Sequence, residues 1–133
     1  MDKTINQWIR INFDIILILE PKECCSKVRL VGAHNPLNRI YTKQNELLND
    51  MPYYVDNVRR YAIWSDGMEW LIGYLSSIDE GKSAGFIRNK EFGDCPTDTN
   101  EWHEYLDGEW NINLNATLSD ATDYSKWRKY SGP

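Results

Sequence analysis

The sequence predicts an all-β fold, mainly antiparallel, built from hairpins as a small sandwich or partly closed barrel with little helix. Three observations carry this. Asp66-Gly67 and Asp107-Gly108 each separate two β-prone runs, and Asp-Gly supplies the positive backbone angles that a two-residue hairpin turn requires. Trp110, Ile112, Leu114, Ala116 and Leu118 alternate with Asn111, Asn113, Asn115 and Thr117, the period of a strand with one wet face. Near the N-terminus, Ile9, Ile11, Phe13 and Ile15 alternate with Arg10, Asn12 and Asp14.

In chain order, the first strand covers that alternation. It becomes apolar on both sides through Leu19 and ends at Pro21, which cannot donate to a ladder. A short strand follows over Lys27–Val31 and closes at Gly32. Asn35-Pro36 and Asn49-Asp50-Met51-Pro52 are breakers flanking Arg39–Thr42 and Tyr53–Val55; Thr42–Leu48 is short for a helix. Tyr61–Ser65 and Met68–Ile72 form the first Asp-Gly hairpin, Ala84–Arg88 adds a strand, and residues 93–100 form a loop by composition. Trp102–Leu106 and Glu109–Leu114 make the second hairpin. One β domain over 1–118 and a polar tail over 119–133 result.

The two-residue turns fix which side chains share a face. In the first hairpin Ser65 is expected opposite Met68, Ile63 opposite Trp70 and Tyr61 opposite Ile72, an apolar set assigned to the core. Trp64 and Glu69 face the other way, where an indole would meet water. In the second, Tyr105, Trp110, His103 and Ile112 are assigned to the core. Trp102, Glu104, Asn111 and Asn113 are assigned to the opposite face. An indole among amides and a carboxylate is a composition suited to carbohydrate: the ring stacks on the sugar and the polar groups bond its hydroxyls. The alternative is that a loop, or Trp127 and Tyr130, covers Trp102.

Composition narrows the function classes. Aromatic residues make up 13% of 133 residues, enough to serve both a β core and a binding surface. Net charge is −5, which disfavours nucleic acid. Glu91, Asp94, Asp98, Glu101, Glu104, Asp107 and Glu109 fall in a stretch without Lys or Arg, whereas Lys126-Trp127-Arg128-Lys129 is basic. The apolar run Ile15–Leu19 is too short to span a membrane. Cys24 and Cys25 are adjacent, so at most one pairs with Cys95 and an odd thiol remains. That count, and the absence of a signal peptide, point to the cytoplasm. The sequon Asn115-Ala116-Thr117 points the other way.

No catalytic constellation emerges. His34 and His103 are the only histidines, and neither has a nucleophile in view. The three cysteines lack the spacing of a zinc site. Asp94, Asp98, Asn100 and Glu101 offer oxygen ligands without the glycine of an EF-hand loop. No metal or cofactor is therefore expected. The leading expectation is a non-catalytic binding module, carbohydrate-binding through Trp102, Glu104, Asn111 and Asn113 with Trp64 and Glu69. A protein–protein adaptor using the acidic segment 91–109 is the first alternative, and a small carbohydrate-active hydrolase the second.

Val31-Gly32, Asn38, Tyr41, Asn49-Asp50, Pro52, Tyr54, Tyr61, Trp64, Trp70-Leu71-Ile72-Gly73, Cys95-Pro96, Trp102 and Trp110 form a pattern that resembles small β-rich, aromatic-rich modules of eukaryotic proteins. The resemblance covers Val28 to Leu118. It implies a β fold and no activity.

Overall fold

A computed structural model describes residues 23–81, 85–91, 93–99 and 101–122. The alternating strand expected over Ile9–Leu19, and Trp127 and Tyr130, lie outside the described residues. The strands are β1 (Lys27–Val31), β2 (Ile40–Leu48), β3 (Met51–Asp56), β4 (Tyr61–Ser65), β5 (Trp70–Tyr74), β6 (Ile87–Asn89), β7 (Trp102–Leu106), β8 (Glu109–Asn113) and β9 (Thr117–Asp120), with one short helix, α1 (Leu75–Asp79). They form one antiparallel sheet in the order β8-β7-β6-β5-β4-β3-β2-β1-β9, curled into a half-barrel. Of the two expected architectures, the partly closed barrel is the one formed.

Turn chemistry explains most of the connections. Asn49 and Asp50 hold φ values of 54° and 63° and join Leu48 to Met51, so the expected breaker is a tight turn with both residues left-handed. Between β3 and β4 the buried Asp56 carboxylate accepts the N–H groups of Arg60 and Tyr61 at 2.8 and 2.9 Å. Its other oxygen pairs with Arg39 at 3.2 Å. β2 is one long strand with an irregularity between Lys43 and Leu47.

The first Asp-Gly hairpin departs from expectation. Ser65 pairs with Trp70, Ile63 with Ile72 and Tyr61 with Tyr74, so the loop has four residues. Asp66 accepts the N–H groups of Met68 and Glu69 at 2.9 and 3.0 Å, and Ser65 Oγ accepts that of Gly67 at 3.0 Å. These side-chain bonds satisfy backbone donors that would otherwise favour the tighter turn. Because the slip is by two residues, the faces survive. Tyr61, Ile63, Trp70 and Ile72 all lie in the core, but Met68, expected with them, is 79% exposed at the loop tip.

The register puts Val28 opposite Tyr41, and Tyr54, Ile63, Ile72 and Ile87 in line across four strands, all on the concave face, joined by Leu30, Leu37, Trp70, Trp102 and Leu118. Each such burial contributes about 1.5–3 kcal/mol. The Cys24–Cys95 disulfide and the loop around it close the hollow; Trp70 Nε1 donates to Gly93 O at 2.9 Å. A second, smaller cluster sits on the convex face. There Val55, Ala62, Trp64 and Leu71 are buried beneath Leu75 and Ile78, an i, i+3 pair that shares one side of α1. Trp64, expected to meet water, is 2% exposed because α1 covers it.

Two core phenols make stability sensitive to alkali. Tyr41 and Tyr54 donate to Leu37 O and Cys25 O, each at 2.7 Å. Burial, aided at Tyr41 by the nearby Asp56 carboxylate, pushes both well above the usual phenol range. The unfolded chain releases these protons from about pH 10, whereas the folded chain retains them. Stability is thus full below that pH and falls above it by ~1.4 kcal/mol per pH unit for each tyrosine. Urea unfolding across alkaline pH is expected to show this decline, and a Tyr41→Phe, Tyr54→Phe variant to flatten it.

Candidate functional site

The second Asp-Gly hairpin forms with the expected register: Trp102 opposite Asn113, His103 opposite Ile112, Glu104 opposite Asn111, Tyr105 opposite Trp110 and Leu106 opposite Glu109. Asp107 and Gly108 adopt φ values of 53° and 82°, the two left-handed residues of the tightest hairpin turn. The faces, however, are exchanged. Trp102 is fully buried and Glu104 is 3% exposed, whereas Tyr105 is 47% and Ile112 52% exposed. Trp102, assigned to a wet surface, belongs to the concave core.

The reason lies in the loop between β1 and β2. Glu104 Oε2 accepts the His34 N–H at 2.7 Å, and Oε1 accepts Asn113 Nδ2 at 2.8 Å. Asn113 Nδ2 also donates to Gly32 O at 3.0 Å. These bonds satisfy a carboxylate whose burial would otherwise be costly, and they tie the β7–β8 hairpin to the start of the sheet. Gly32, at φ +80°, is required at this seam: a Cβ there would fall 1.9 Å from Asn115 O.

The six residues expected to form one binding surface are therefore dispersed. Trp102, Glu104 and Asn113 come together, but as a structural seam. Asn111 is exposed beside the turn and donates to Glu109 O at 3.2 Å. Trp64 lies beneath α1 on the other side of the sheet. Glu69 is half-buried on the convex side, with Oε1 3.9 Å from Arg88 Nε. Two buried donors on the concave side, Trp102 Nε1 and Asn89 Nδ2, have no hydrogen-bond partner among the described residues.

The surface that does face solvent is the convex side of the hairpin, the side whose residues the alternation assigns to the core. Tyr105 and Trp110 pack with ring centroids 5.2 Å apart and planes inclined at 60°. The Arg88 guanidinium lies 4.4 Å from the Trp110 ring centroid, a cation–π contact that holds the indole in place. Ile112 and Leu114 extend the apolar area, Glu101 and the turn residue Asp107 are exposed beside it, and Glu109 is exposed on the opposite face of the hairpin. The Asp-Gly signal found the hairpin; no local signal marks its outer side.

A separate polar groove of about 290 Å³ opens beside the β2 irregularity, lined by Gln44, Asn45, Glu46, Tyr53 and Arg59. It offers amides, a phenol and one carboxylate, not the carboxylate pair that glycoside hydrolysis uses. In the acidic loop with oxygen ligands, Asp98 Oδ2 accepts the Cys95 N–H at 3.1 Å and closes a single 3-10 turn at Pro96–Asp98; Asn100 lies outside the described residues. No helix among the described residues is long and apolar enough to cross a membrane. Comparison with protein families, curated proteins and solved structures finds no match to this chain.

Proposed function

We propose that this chain is a non-catalytic binding module whose ligand is another protein, docked on the convex side of the β7–β8 hairpin. The observation that carries the reading is exposed Tyr105 packed on half-buried Trp110, with Arg88 beneath the indole and exposed Ile112 beside it. Trp, Tyr and Arg are the side chains that dominate binding energy at protein interfaces. Glu101 and Asp107 beside the rings, with Glu109 at the same end of the hairpin, would select a basic partner and steer its approach. A carbohydrate reading moves from Trp102 to the polar groove, where Tyr53 stands among Gln44, Asn45 and Glu46.

The test is selection of a displayed random peptide library on the wild-type chain, with counter-selection on a Tyr105→Ala, Trp110→Ala variant and a parallel oligosaccharide array. Enriched peptides are expected to bind the variant roughly 30-fold more weakly, the loss of about 2 kcal/mol typical of an anchor residue. Their binding should also weaken with salt, since exposed charges are screened over ~8 Å at physiological ionic strength. Failure of every peptide to discriminate the variant overturns the reading. Oligosaccharide binding lost on Tyr53→Ala would replace it with the carbohydrate one.

A further inference from the structure

We infer that the occupant of this surface is an extended, basic segment of a partner protein that joins the open edge of β8 as an additional strand. The inference rests on the protein-binding reading above and specifies its mode. The two-residue turn sets the hydrogen-bond phase: Leu106 and Glu109 exchange both main-chain bonds, as do Glu104 with Asn111 and Trp102 with Asn113. The intervening Trp110 and Ile112 direct their N–H and C=O groups away from β7. On β7 the same alternation is visible directly, since the Tyr105 N–H donates outward to Phe86 O at 2.9 Å.

β8 is an end strand of the sheet. β9, which follows it directly, crosses to pair with β1, Thr117 opposite Val31. Among the described residues nothing meets the outward main-chain groups of Trp110 and Ile112. Exposed edges are normally blunted by Lys, Pro or a bulge. The strand Glu109-Trp110-Asn111-Ile112-Asn113 has none of these. It instead places Trp110 and Ile112 where the alternate side chains of an added strand would cover them.

Charge selects the occupant. Residues 91–109 contain no Lys or Arg, and Glu101, Asp107 and Glu109 are exposed at the hairpin. Arg88, beneath the Trp110 ring, is already engaged by Trp110 and Glu69. A second copy pairing β8 against β8 would bring two acidic hairpins together without compensation. An incoming strand of alternating basic and apolar residues would neutralise these carboxylates and cover the rings.

The experiment titrates the full chain, followed by amide NMR, with a short end-blocked peptide of alternating lysine and valine. The same peptide N-methylated at every residue, and a glutamate-for-lysine version, serve as controls. The lysine peptide is expected to bind and to shift the amides of Trp110 to Asn113. N-methylation, which keeps the charge and side chains but removes the donors, is expected to weaken binding about tenfold or more. Ile112→Pro removes an outward N–H while leaving the β7 ladder intact, and should weaken binding similarly in a chain whose near-ultraviolet dichroism is unchanged.

Equal binding of the methylated peptide, with loss on Trp110→Ala, would overturn strand addition and leave the docking surface standing. Equal binding of the glutamate peptide would overturn the basic partner. Absence of any peptide binding, together with no discriminating peptide from the library, would remove the surface itself. Self-association abolished by Ile112→Pro would assign the edge to a second copy instead.

Discussion

Trp102→Ala is expected to lower the free energy of unfolding by roughly 3–5 kcal/mol, the cost of deleting a large aromatic side chain from a packed core. Trp102 is completely shielded among the concave residues, with no room for its neighbours to exchange solvent for the missing ring. In a domain of this size the melting temperature should fall on the order of 15–30 °C. If the indole instead lay on a wet face, the change would stay within about 0.5 kcal/mol. Urea unfolding followed by near-ultraviolet dichroism separates the two. Trp102→Phe is expected to cost less, because it keeps most of the ring and removes an N–H that has no partner among the described residues.

Opening the Cys24–Cys95 bridge is expected to cost about 4 kcal/mol on the chain-entropy account. The two cysteines stand 71 residues apart in sequence, so the cross-link confines most of the sheet in the unfolded chain. Both sulfurs are buried, and replacement of Cys24 and Cys95 by Ser leaves the loop at Pro96–Asp98 to hold the hollow closed without covalent help. The thiol count is the direct check. The denatured wild-type chain should show one reactive thiol, Cys25, before reduction and three afterwards. In the folded chain Cys25 should react slowly, since burial, with Asp120 nearby, pushes its pKa up. Three thiols titrating without reductant would show that the bridge does not form. Such a bridge persists in oxidising surroundings, whereas a reducing compartment would hold the chain as three thiols.

How far the fold was legible differs between the two Asp-Gly hairpins. At Asp107-Gly108 the dipeptide alone fixes the turn, because both residues accept left-handed angles and no nearby side chain competes for the backbone donors. At Asp66-Gly67 the carboxylate and the Ser65 hydroxyl capture three N–H groups and enlarge the loop. A two-residue slip is invisible to face assignment, so the core there was read correctly apart from Met68.

The side of the second hairpin was not legible for a different reason. Alternation groups Trp102 with Glu104 and Asn113, and Tyr105 with Trp110 and Ile112, but does not say which group faces in. Counting apolar residues favours the wrong set. What decides is the pairing of Glu104 with the His34 main chain, 70 residues earlier, which turns a carboxylate into a buried fastening. The cover over Trp64 was hidden too, since α1 spans five residues and shows only one i, i+3 pair.

The strand order carries a consequence for assembly. From β1 to β8 each strand lies beside the one made immediately before it, so hairpins can zip one after another with little loop-closure cost. Among the described strands only the ladder between β1 and β9 joins distant parts of the chain. A growing polypeptide can therefore lay down eight strands in sequence, while the one that completes the other margin can pair with β1 only after all eight have been made.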